Sequence, residues 1–149
     1  MARMAECACG AFKVRVEGEP LMVAACNCTQ CQKRTGNVFG VGAYFRKDSV
    51  EVVSGAFQTF KRPGDSGYTW TIHFCPTCGS SVFWEGPFFP GLRGVAVGCF
   101  ADPAFPAPQF AAFTEKQHSW VSFPAGATLL TTGVTQDEAA DLVAQLINS

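Results

Sequence analysis

The chain has 149 residues, 48% of them hydrophobic and 13% aromatic, which is enough to bury a core and is within the usual size of one domain, here expected to span 1–149. The 11 Lys and Arg against 12 Asp and Glu leave a formal net charge of -1, so the chain lacks the basic field that would draw a polyphosphate backbone, and nucleic acid is not an expected partner. No apolar stretch approaches the ~18–20 residues that span a bilayer, and the first residues lack an apolar signal core, so a soluble, cytoplasmic protein without membrane association is expected.

From the N-terminus, strict alternation marks 11–17 as a half-buried strand, with Phe12, Val14 and Val16 on one face and Lys13, Arg15 and Glu17 on the other. A short helix is expected over 29–35. Further strand-like segments, rich in β-branched and aromatic residues, lie at 38–45, 49–53, 57–60, 68–74, 81–84, 94–100 and 127–131. Gly and Pro punctuate them, as in the turn Arg62-Pro63-Gly64-Asp65-Ser66-Gly67 and the loop 102–108 with its three prolines. The one long helix is C-terminal: Thr135 and Glu138 form a T-x-x-E capping box ahead of Ala139, Leu142, Val143, Leu146 and Ile147. The fold class is therefore mainly β, with seven to nine strands and one C-terminal helix.

Eight cysteines in a chain expected in a reducing compartment point to metal rather than disulfides. Phe74-Cys75-Pro76-Thr77-Cys78-Gly79 has the form of a zinc knuckle, and Cys7-Ala8-Cys9-Gly10 supplies a second pair, so Cys7, Cys9, Cys75 and Cys78 together make a closed tetrahedral site. Cys26-Asn27-Cys28-Thr29-Gln30-Cys31 packs three thiols into six residues and leaves a fourth coordination position for water or substrate, unless Cys99 or a histidine fills it. Two zinc ions per chain follow, one structural and one catalytic or exchangeable. Three thiolates make zinc a poor activator of water. They favour an added thiol acting as nucleophile on a carbonyl carbon, with Cys26, Cys28 and Cys31 as the catalytic ligands. Lys33 and Arg34, next along the chain, either bind the carboxylates of such a thiol or stand as solvated surface charges.

His73 is positioned either to support a thiolate ligand or to sit at a sheet surface. His118 is either a general base or a loop residue. Phe88-Phe89-Pro90 fits an apolar lip over the open zinc or a homodimer contact.

The ordered set C-x-C-G, C-N-C-x-x-C followed by basic residues, and F-C-P-x-C-G-S resembles the glutathione-dependent formaldehyde-activating enzyme family, whose domain is also called CENP-V/GFA. Gly98-Cys99-Phe100-Ala101-Asp102-Pro103 and His118-Ser119-Trp120-Val121 resemble two later segments of that family. Asn27 stands where many members carry histidine, and Ala101 and Cys99 also depart from the common pattern. The resemblance implies a tent-like arrangement of antiparallel sheets stapled by zinc. It also implies structural zinc on Cys7, Cys9, Cys75 and Cys78 and catalytic zinc on Cys26, Cys28 and Cys31. The implied reaction is addition of glutathione to formaldehyde, formally a carbon–sulfur lyase in reverse, with glutathione or another small thiol and a small aldehyde as partners. The rival expectation is a non-catalytic zinc module that binds a thiol or a protein.

Overall fold

The computed structural model describes residues 1–63 and 67–149, so the centre of the turn expected at 62–67 lies outside the described residues. In chain order the elements are β1 (Ala2–Glu6), β2 (Lys13–Glu17), β3 (Met22–Cys26), α1 (Thr29–Thr35), β4 (Gly40–Arg46), β5 (Val50–Ser54), β6 (Gln58–Pro63), β7 (Thr69–Phe74), β8 (Ser81–Glu85), β9 (Leu92–Ala96), β10 (Phe110–Ala112), β11 (Thr128–Leu129) and α2 (Gln136–Asn148). The described strands form two sheets, one ordered β1-β2-β5 and the other β11-β10-β3-β4-β9-β8-β7-β6.

Alternation along β2 turns Val14 and Val16 inward, as the sequence predicts, while Lys13, Arg15 and Glu17 stay at or near the surface. With Ala5 and Val50 they form the inner face of the small sheet. It closes over Val23, Ala43, Phe45, Val82, Phe83 and Val95 of the large one. Burying this face of large apolar side chains is the main force holding the two sheets together. Arg93 on β9 adds a polar tie, donating from Nη1 to the carbonyl of Val50 on β5 at 2.9 Å.

The mainly β architecture matches the expectation, with three differences of detail. β10 runs parallel to both β3 and β11, so the large sheet is mixed rather than antiparallel throughout. The segment expected as a strand over 94–100 leaves the sheet after Ala96 and tightens into a 3₁₀ turn at Val97–Phe100, closed by Ala101 in the left-handed region. Strands β1, β3 and β10 also go beyond those the alternation pattern marks, bringing the described total to eleven. Both expected helices form. α1 covers Thr29–Thr35, and α2 begins at the predicted capping box, with Thr135 Oγ1 accepting from the Glu138 amide at 3.2 Å and the Glu138 carboxylate accepting from the Thr135 amide at 2.7 Å.

Candidate metal centres and the adjoining cavity

The two cysteine pairs that are distant in sequence meet. Cys7 and Cys9 follow β1, Cys75 and Cys78 follow β7, and their four Sγ atoms all lie within 4.8 Å of one another. The closest approaches are 3.6 Å for Cys7–Cys9 and 3.7 Å for Cys9–Cys75. Four sulfurs bound tetrahedrally at about 2.3 Å from one ion stand about 3.8 Å apart, so the donors present fit zinc in both chemistry and spacing. The surroundings favour thiolates: the Phe12 amide donates to Cys7 Sγ at 3.2 Å, and the Ser80 hydroxyl lies 3.3 Å from Cys78 Sγ. Ser80 is the chief reason the Cys78 thiol is held down to about 5. Gly79 takes φ +79 in the knuckle, a conformation that favours glycine, and its amide donates to the Cys75 carbonyl at 2.8 Å.

The middle cysteines converge because three different backbone states occur in six residues. Cys26 ends β3, Cys28 is the N-cap of α1, and Cys31 lies in its first turn, with the Cys31 amide donating to Cys28 Sγ at 3.3 Å. Their Sγ atoms lie within 4.8 Å of one another, with no fourth Cys, His, Asp or Glu of the described residues in the group. Hydrogen bonds from Cys26 and Cys28, then the charges of Arg34 and Arg62, pull the Cys31 thiol down to about 2. Contacts with Cys28 and Cys31, and then burial, push Cys26 well above its ordinary value. Soft donors gathered around one anionic sulfur are the chemistry a zinc ion would satisfy, and Cys26, Cys28 and Cys31 are the residues that would hold it.

Asn27 fixes this segment to its neighbours. Its amide and its Nδ2 both donate to the Ala112 carbonyl on β10, at 3.0 and 2.9 Å, and its own carbonyl accepts from Gln32 Nε2 at 2.8 Å. Asn27 is thus a buried clamp joining β3, α1 and β10.

The triad lies in the wall of a cavity of about 140 Å³. Arg34 reaches into it from α1 with its guanidinium 4.4 Å from the centroid of Trp84, and Arg62 Nη2 stands 3.6 Å from Cys31 Sγ. The Arg62 Nε is buried and has no partner among the described residues. Opposite, Tyr44 accepts from Trp84 Nε1 at 3.2 Å, so its own hydroxyl hydrogen remains available, and burial keeps that hydroxyl protonated by pushing its pKa up. Lys33 is exposed and does not line this cavity. It stands in a neighbouring depression that Arg34 and Arg62 also line.

The other candidates lie elsewhere. Cys99 is in neither cluster; its Sγ is 3.7 Å from the Ser81 carbonyl, and burial pushes its thiol up to about 11. His118 is an exposed loop residue whose Nε2 lies 3.3 Å from Gln32 Oε1. His73 is buried and stacked on Phe83 at 4.0 Å, with Nδ1 unpartnered among the described residues, and burial holds its imidazole below the ordinary value. Phe89 lines the triad cavity, whereas Phe88 is buried beneath it against Tyr68 and Trp70.

Sequence reasoning assigned Trp70 and Trp84 to core and pocket wall but did not single out Arg62 or Tyr44 as site residues. The available signal was Gly42 and Gly94, two glycines inside strands that otherwise favour side chains. A Cβ on Gly42 would sit 2.6 Å from Trp84 Cζ2, and one on Gly94 2.4 Å from Trp84 Nε1.

A two-sheet β fold carrying one four-cysteine cluster and one three-cysteine cluster beside a cavity defines the class: a β protein organised around two thiol-rich candidate metal centres. The sequence model of the family described as glutathione-dependent formaldehyde-activating enzyme matches residues 2–116, and the chain belongs to that family. A Fusarium vanettenii protein, whose own naming as a glutathione-dependent formaldehyde-activating enzyme is provisional, is 29% identical over 112 residues, covering 72% of this chain. That match spans 59% of the fungal protein's length. A Rhodobacter sphaeroides protein of known crystal structure shares the fold, with a TM-score of 0.53 at 22% identity over 87% of this chain and 99% of that one.

Proposed function

We propose that the protein adds a low-molecular-weight thiol, glutathione, to formaldehyde or a related small aldehyde, and catalyses the reverse carbon–sulfur cleavage. Zinc in the triad is its catalytic metal, zinc on Cys7, Cys9, Cys75 and Cys78 is its structural one, and the cytoplasm is its setting. The observation that carries this reading is the triad itself: three convergent thiols, without a fourth protein donor among the described residues, on the wall of a cavity. Zinc bound there would hold an added thiol as a thiolate and raise its reactivity toward a carbonyl carbon.

The remaining roles fall to this chain's own side chains. Arg34 and Arg62 line both the cavity and the depression beside it, where Lys33 also stands, so three cations surround the path outward from the triad. Glutathione carries two carboxylates, and planar guanidinium groups suit them. Tyr44 has a hydroxyl hydrogen to spare, and this donates to the carbonyl oxygen as negative charge develops there. In the addition, the sulfur lone pair forms the carbon–sulfur bond. The carbonyl π pair moves to oxygen, which takes up the proton that the thiol released.

The test is the rate of adduct formation from glutathione and formaldehyde above the uncatalysed rate. Wild type should exceed it, Cys28→Ala should not, and Tyr44→Phe should lower kcat by roughly 100-fold, the usual loss for one donor to a developing oxyanion. No excess rate with wild-type, zinc-loaded protein would instead favour a non-catalytic module that binds a thiol or a protein.

A further inference from the structure

The cavity beside the triad is more aromatic than formaldehyde requires. Formaldehyde has two heavy atoms, whereas the cavity, about 140 Å³ that the sulfur of the added thiol shares, presents a broad aromatic face. An apolar protein cavity of about 150 Å³ is large enough to hold benzene. Trp70, Trp84, Tyr44 and Phe89 form an aromatic side of the wall, and they hold one another in edge-to-face contacts: Tyr44 on Phe89 at 5.1 Å and 78°, Trp70 on Phe89 at 5.9 Å and 68°, and Tyr44 on Trp84 at 6.4 Å and 77°. Such a wall is already organised before a ligand arrives, and it offers ring faces and edges to another ring.

The sheet beneath is shaped to admit these rings. Gly42 on β4 and Gly94 on β9 clear the space that Trp84 and Tyr44 occupy; a Cβ at Gly94 would fall 2.8 Å from Tyr44 Cε1 as well as against the indole of Trp84. Ala24 and Ala112, small residues on the neighbouring strands, keep another part of the cavity open.

We propose that the electrophile this site takes in preference to formaldehyde is an aldehyde bearing an aromatic ring. The proposal rests on the thiol-addition reading above and specifies its substrate class. The ring lies among Trp70, Trp84, Tyr44 and Phe89, and its carbonyl carbon faces the triad. The thiol adds to give a thiohemiacetal, R–S–CH(OH)–Ar, by the same bond changes: one carbon–sulfur bond formed, the carbonyl π bond broken, one proton moved from sulfur to oxygen. No oxidant or reductant is needed.

The test has two arms on the zinc-loaded protein. In the first, benzyl alcohol, a non-reactive analogue of benzaldehyde, is titrated against tryptophan fluorescence, with methanol as the small-ligand control. Saturable quenching by benzyl alcohol alone is expected, and Ala24→Phe should abolish it by filling the cavity. Phe89→Ala, which enlarges the wall instead, should weaken binding at least severalfold, so the result does not depend on one variant folding. In the second arm, kcat/KM for glutathione addition is compared between benzaldehyde and formaldehyde. With each rate divided by the uncatalysed rate for the same aldehyde, the enhancement for benzaldehyde should exceed that for formaldehyde by at least about tenfold, the low end of what one well-fitted apolar group contributes to discrimination.

Absence of saturable benzyl alcohol binding, or a preference for formaldehyde, overturns the proposal. If wild type still accelerates glutathione addition to formaldehyde in that case, only the substrate class falls. Binding of benzyl alcohol that is lost in Ala24→Phe supports the ligand class even if no aldehyde is turned over, and it is then the reaction that fails.

Discussion

At Gly94 a methyl group would stand 2.4 Å from Trp84 Nε1 and 2.8 Å from Tyr44 Cε1, whereas at Gly98, four residues on, a Cβ would meet nothing within 4 Å. The two glycines therefore respond oppositely to the same change. Gly→Ala narrows the unfolded ensemble and by that route stabilises by about 0.4–1 kcal/mol. At Gly98 this gain is unopposed. At Gly94 either the indole or the phenol must move, and overpacking of this kind costs about 1–3 kcal/mol. Gly94→Ala should lower the urea midpoint and also disturb the Tyr44–Trp84 hydrogen bond, shifting tryptophan emission, while Gly98→Ala should leave the midpoint unchanged or higher. Equal midpoints for the two variants would mean that the rings over Gly94 yield freely and that the glycine is not there to admit them.

Glu85, at the end of β8, shows how pairs of elements are fastened. Its carboxylate accepts from Arg93 Nε of β9 at 3.1 Å and pairs with Lys47 at 3.3 Å, and the same Arg93 reaches across to the carbonyl of Val50 in the other sheet. Burial works against the charge, but Arg93 and Lys47 outweigh it and hold Glu85 below the ordinary carboxylate range. A carboxylate whose folded pKa is depressed stabilises the protein above its unfolded pKa, near 4.3, and that contribution is lost as pH falls through the folded value. Glu85→Gln should therefore cost about 1 kcal/mol at pH 7, a charge-assisted bond at a partly exposed site, and the difference from wild type should shrink as pH falls below about 4.3 and vanish once pH lies below the folded value. Denaturant titrations of both proteins across pH 3–7 measure it, and a difference that persists unchanged in acid would sink the assignment. Elements of this kind differ in how far they can be read from sequence. β2 and α2 were legible because alternation and a capping box are local patterns. β3 and β10 were not: Met22-Val23-Ala24-Ala25-Cys26 is apolar without clean alternation, and β10 exists as a three-residue strand because it pairs with β3, more than 80 residues away. The site divides along the same line. Short cysteine spacings announced both clusters, but Arg62, Tyr44 and Trp84 come from three separate strands and meet only when the large sheet forms.

Across the whole molecule the two clusters differ in what they join. Cys7 and Cys9 extend from the small sheet and Cys75 and Cys78 from the large one, so an ion held by all four links the two sheets across a sequence separation of more than 60 residues. Cys26, Cys28 and Cys31 lie on one short segment that Asn27 and Gln32 already fasten to β10 and the loop after it. Loss of an ion from the first cluster would free long-range structure, and loss of one from the second would free almost none. Structural zinc sites in small peptides carry about 10–16 kcal/mol of apparent binding free energy, comparable with the whole stability of a typical domain at about 5–15 kcal/mol. Cys75→Ser should therefore reach the soluble fraction poorly or unfold at least 10 °C below wild type on the scale of a few degrees per kcal/mol. Cys31→Ser should stay folded within a few degrees of wild type and lose one zinc equivalent, together with the thiol-addition activity. Zinc stoichiometry and thermal unfolding of the two purified variants separate the roles. Equal destabilisation by both substitutions would mean that the triad, too, is part of the frame, and would leave the protein no exchangeable metal position at which a thiol could bind.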